Sequence, residues 1–82
     1  MNPEIQKIII HETARSLALF YRVPFAEALS CLTNKETKLE LKLNPNDFPT
    51  IADHAVKALH NFARMYIVTP GDVIYLLNKT LY

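Results

Sequence analysis

Glycine occurs once in these 82 residues and cysteine once, and neither sign of charge prevails. With a single glycine, the chain has no Gly-rich loop that could cradle a phosphate. A lone Cys31 rules out an internal disulfide and suits a reducing compartment. Nine Lys and Arg stand against eight Asp and Glu, and the resulting net charge of +1 gives too weak a field to point to nucleic acid or an anionic membrane. Long hydrophobic runs are missing too. Ile8, Ile9 and Ile10 follow Lys7, but His11, Glu12 and Arg15 interrupt them before a signal-peptide core or membrane span could form. These absences lead us to expect a cytoplasmic protein without a membrane segment.

What the chain does have is apolar residues, at 50% of the total. A chain of this length holds one domain, residues 1–82, with one core of marginal size. So much apolar surface on so small a body favours partial coverage by another chain. Its periodicity predicts a mainly α fold with four helices, at about 3–22, 24–33, 48–66 and 70–81. In the first, Pro3 and Glu4 suit a helix start, and Ile5, Ile9, Ile10, Ala14, Leu17, Phe20 and Tyr21 form an apolar arc. Glu4, Lys7, His11, Arg15 and Arg22, with Ala18, mark the opposite stripe, and Pro24 ends the helix. Phe25, Ala28, Leu29 and Leu32 give the second helix one apolar face. Ile51, Ala55, Ala58, Leu59, Phe62, Met65 and Tyr66 do the same for the third, with Asp47 as a candidate cap. Thr69-Pro70-Gly71-Asp72 predicts a capping box for the fourth, with Val68 and Val73 as a staple and Val73, Ile74, Leu77 and Leu81 facing inward.

One run breaks the helical pattern. Lys38-Leu39-Glu40-Leu41-Lys42-Leu43 alternates charge and leucine, which predicts one short β-strand at about 37–43. Read as a helix, it would stack Glu36 on Glu40 and Lys38 on Lys42 as like charges four apart. A strand needs backbone partners outside itself. Two are available: the β-prone 66–68 segment, Tyr66-Ile67-Val68, or the identical strand of a second copy across a two-fold axis.

Residues suited to catalysis or metal binding do not converge. His11-Glu12 begins like a zinc-protease helix, but Arg15 stands where the second histidine would lie. His54 and His60 point to different faces of one helix, and Cys31 lies near a helix C-terminus, where the dipole disfavours a thiolate. Asp47, Asp53 and Asp72 each suit a turn or a cap. Tyr75, off the Val73–Leu77 stripe, reads as an interface residue. The helix pair around Tyr21–Pro24 could pass for a helix-turn-helix. Its second helix offers Glu27 and Ser30 but no Arg, Lys, Asn or Gln to read a base, leaving Lys35, Lys38, Lys42 and Arg64 as a nonspecific route to DNA.

Two resemblances attach to particular residues. The segment from Val68 through Thr69, Asp72 and Tyr75 to Leu77 is similar to the last loop and helix of the histone fold. Asn44, Pro45 and Pro49 sit where a histone's long central helix would continue, so no histone function is expected. Glu27-Ala28-Leu29, Leu59-His60, Tyr66-Ile67-Val68 and Asp72 resemble the pattern of a family of short bacterial helical proteins encoded near toxin-like genes. That likeness implies a regulatory or partner-binding role in a bacterial cell or phage.

The function expected from the sequence is a non-enzymatic protein–protein interaction or regulatory module. It would be homodimeric through Lys38, Leu39, Glu40, Leu41, Lys42 and Leu43, with Tyr75 at an interface and no cofactor or metal. The alternative is a small DNA-binding transcriptional regulator or antitoxin-like protein.

Overall fold

The computed structural model describes residues 3–33, 42–63 and 68–81, excluding the side chains of residues 62, 63 and 81. Four α-helices account for most of them: α1 (Pro3–Tyr21), α2 (Phe25–Thr33), α3 (Phe48–Ala63) and α4 (Pro70–Leu81). A 3₁₀ turn, Pro45–Asp47, runs directly into α3. No strand occurs among the described residues. Of the expected strand, Lys42 and Leu43 are described and irregular, whereas Lys38, Leu39, Glu40 and Leu41 lie outside the described residues. Of the expected partner segment, Val68 is irregular and Tyr66 and Ile67 lie outside.

Each helix starts and stops for a local reason. At the end of α1, Arg22 takes a left-handed φ of 57° and the Val23 amide donates to the Ala18 carbonyl at 3.1 Å. This six-to-one closure usually falls to glycine, which a chain with one glycine must do without. Pro24 then accepts the Glu27 and Ala28 amides, both at 3.1 Å, and opens α2. The expected cap of α3 is corrected: Asn44 caps the turn by accepting the Asn46 amide, while the carboxylate of Asp47 accepts from Tyr21. The capping box of α4 forms in half. Asp72 Oδ2 accepts the Thr69 amide at 2.9 Å, but the Thr69 hydroxyl donates to that same oxygen at 3.1 Å instead of accepting an amide.

α1 packs against α2 and α3, and α3 against α4, so α1 and α3 carry the core between them. Leu17, Phe48, Ile51, Leu59, Val73 and Leu77 are the largest fully buried apolar side chains among the described residues, with Ala14, Ala28, Ala52 and Ala55 letting the helix backbones approach. Two expectations about this core fail. Phe20 and Phe25, read as inward-facing, are 45% and 41% exposed, because α1 and α2 carry apolar arcs wider than their neighbours cover. Ala18, read as part of the polar stripe, packs against the core.

Polar groups also enter the core. Thr80 satisfies its hydroxyl by donating to the Leu76 carbonyl at 2.9 Å, one turn back. Thr13, fully buried, has no partner for its Oγ1. A buried hydroxyl without a partner costs about 1–3 kcal/mol, and valine has nearly the same shape. Thr13→Val is therefore expected to raise the unfolding free energy by about 1 kcal/mol, read as a higher urea midpoint at unchanged slope.

Candidate interaction surface

The described end of the alternating run is fixed in place by α1. Tyr21, the last residue of that helix, donates its hydroxyl to Asp47 Oδ2 at 3.0 Å, and its own hydroxyl oxygen accepts the Asn44 amide at 3.2 Å. Leu43, next to Asn44, packs half-buried against the core cluster, while Lys42 is exposed. Of the residues expected to pair across a dimer, Leu43 thus serves its own chain. Burial raises the Tyr21 phenol above its ordinary range. The Asp47 hydrogen bond and charge reinforce that shift, and the Asn44 amide opposes it.

Beside this clamp lies an apolar patch that the sequence reading missed. Phe20 meets Tyr21 edge-on at 5.3 Å between ring centroids, and Leu19 is 64% exposed. With Ser16, Thr50, Ile51 and His54 these two residues line a hollow of about 220 Å³ between α1 and α3. Side chains so large and so exposed are the usual material of a protein–protein contact.

Tyr75 is 66% exposed, as an interface role requires, with Lys79 Nζ above its ring at 5.6 Å. It lines a second hollow, about 320 Å³, between α1 and α4 with Ile10, Leu76 and Lys79. This site is far along α1 from the Tyr21 clamp, so the structure does not bring Tyr75 together with the described end of the leucine run.

The histidines have assigned partners. His54 Nδ1 lies 2.9 Å from Ser16 Oγ, a hydrogen bond joining α1 to α3. His60 Nε2 donates to the Val68 carbonyl at 3.2 Å, tying the end of α3 to the start of α4. His11 packs edge-on against Phe25 at 6.0 Å. The Ser16–His54 pair has the spacing of a nucleophile and its base, yet both sit inside helices, where neighbouring amides are already committed along the axis. Joining two helices that pack on each other, the pair acts as a cross-brace. Cys31 is buried, as a packed thiol should be.

Among the described residues no three His, Cys, Asp or Glu side chains group so as to hold a metal ion, and no helix is long and apolar enough to cross a membrane. No family model, curated protein or solved structure matches the chain.

Proposed function

We propose that the chain is a non-enzymatic protein–protein interaction module that works as a homodimer, with Lys38–Leu43 of two copies pairing as strands across a two-fold axis. The observation that carries this reading is the Tyr21 clamp, which ties Asn44, the residue after the run, to the end of α1, where exposed Phe20 lies edge-on to the Tyr21 ring. Strand pairing there would be continuous with an apolar patch, so backbone hydrogen bonds and side-chain burial would act on one interface.

Leu39 and Leu41 would then meet their counterparts in the partner, with Lys38, Glu40 and Lys42 on the other face.

Size-exclusion chromatography with light scattering tests the reading. The expected mass of the wild type is at least twice the chain mass of 9.4 kDa, and it should fall in a Leu39→Lys/Leu41→Lys variant whose far-UV helical signal is unchanged. A wild type of one chain mass at every concentration, or a double variant of undiminished mass, contradicts it.

A further inference from the structure

The outward face of α1 carries a second pattern. Ile8, Glu12, Arg15 and Leu19 follow one another at four, three and four residues, which at about 100° per residue keeps all four within a sector about 60° wide. That sector faces away from buried Ile9, Thr13, Ala14 and Leu17. Ile8 is 37% exposed and the side chain of Arg15 67% exposed, while that of Glu12 is 12% exposed and shows only its edge. Both pairs, 8 with 19 and 12 with 15, are centred between residues 13 and 14. A two-fold axis through that point, normal to the helix, carries Ile8 onto Leu19 of another copy and Glu12 onto Arg15.

We propose that α1 packs antiparallel on α1 of a second copy, a two-fold contact made by these four residues and separate from the strand pairing above. Three observations make the occupant a copy of this chain. First, the stripe is complementary to itself in both charge and hydrophobicity, as an isologous contact demands. Second, Arg15 has little to hold it at home. Its Nε lies 3.9 Å from Glu12 Oε1, at the outer limit of an ion pair, with the Arg15 side chain two-thirds exposed although that of Glu12 is only 12% exposed. Third, shape agrees with charge. Leu19 projects, and the position it meets is a recess of about 330 Å³ formed by Lys7, Ile8, His11, Glu12 and Arg15, a knob set into a hole. Phe25, 41% exposed, lies edge-on to His11, one of the residues that form the recess.

The register can be tested by directed cross-linking in a Cys31→Ser background. Oxidising a mixture of Ile8→Cys and Leu19→Cys proteins is expected to join unlike partners, while each protein alone stays largely uncross-linked. Arg15→Glu should weaken this association at least tenfold, and Glu12→Arg/Arg15→Glu should restore it. Absence of the mixed product, cross-linking of position 8 to itself with equal ease, or indifference to Arg15→Glu would overturn the proposal. Repeating the mixture with Leu39→Lys/Leu41→Lys separates the two interfaces. A mixed product that persists while the mass falls to two chains supports both. One that persists with no fall in mass upholds the α1 contact and removes the strand. A mass that falls to one chain with no mixed product upholds the strand and removes the α1 contact.

Discussion

Replacing Leu59 by alanine is expected to lower the unfolding free energy by about 3 kcal/mol. Leu59 is fully buried on α3, the helix that packs on both α1 and α4. Truncation there removes apolar burial and leaves a hole that neighbours on two sides are held from filling. A domain this size has about 4–12 kcal/mol to lose in total. The melting temperature should accordingly drop by about 12–24 °C, measured by circular dichroism at 222 nm. A loss below about 1 kcal/mol would show that α1 and α4 close over the gap, and that α3 is not the wedge its position implies.

Tyr21→Phe should cost about 1–2 kcal/mol, since one hydroxyl both donates to Asp47 and accepts from Asn44. Its effect should also depend on pH. Burial, reinforced by the Asp47 carboxylate against the Asn44 amide, raises the phenol above its unfolded value near 10. Between that value and the folded one, the native state holds the proton more tightly than the unfolded chain does. This contribution is complete below pH 10 and is lost as pH rises through the folded pKa. The stability advantage of wild type over Tyr21→Phe should therefore be constant near neutrality and shrink above about pH 10. Urea midpoints of both proteins across that range measure it, and the difference cancels groups that titrate in common. An advantage that grows with pH would contradict the assignment.

The helices were legible because their signals are local. Proline at 24, 49 and 70 and the apolar spacing of Val73 and Leu77 set bounds that the structure keeps to within a residue, apart from the end of the third helix, where residues 64–66 of the expected 48–66 lie outside the described residues. What was hidden depends on which neighbours arrive. Periodicity shows that Phe20 and Phe25 belong to apolar arcs, but not that the helices packed against them leave both exposed. Ser16 and His54 are 38 residues apart and meet only because α1 lies against α3. The Tyr21 clamp escaped notice for a similar reason, since Asn44 and Asp47 each had a simpler local role in a turn. The outward stripe of α1 was a different matter. Ile8 and Leu19 lie eleven residues apart on the azimuth of Glu12 and Arg15, a relation that plotting the helix end-on would have displayed.

The bend at Arg22 has a consequence for how well the backbone is served. The left-handed corner at the end of α1 is turned by a residue with a Cβ. The one residue lacking that atom, Gly71, sits in the first turn of α4 at an ordinary φ, where a methyl group would meet nothing closer than Thr69 Oγ1 at 3.6 Å. Pliancy is thus stored inside a rod, and stiffness is forced around a hairpin. A sequence with glycine at 22 and alanine at 71 would relieve the first and tighten the second, so the native chain stops about 1–2 kcal/mol short of what its own backbone allows.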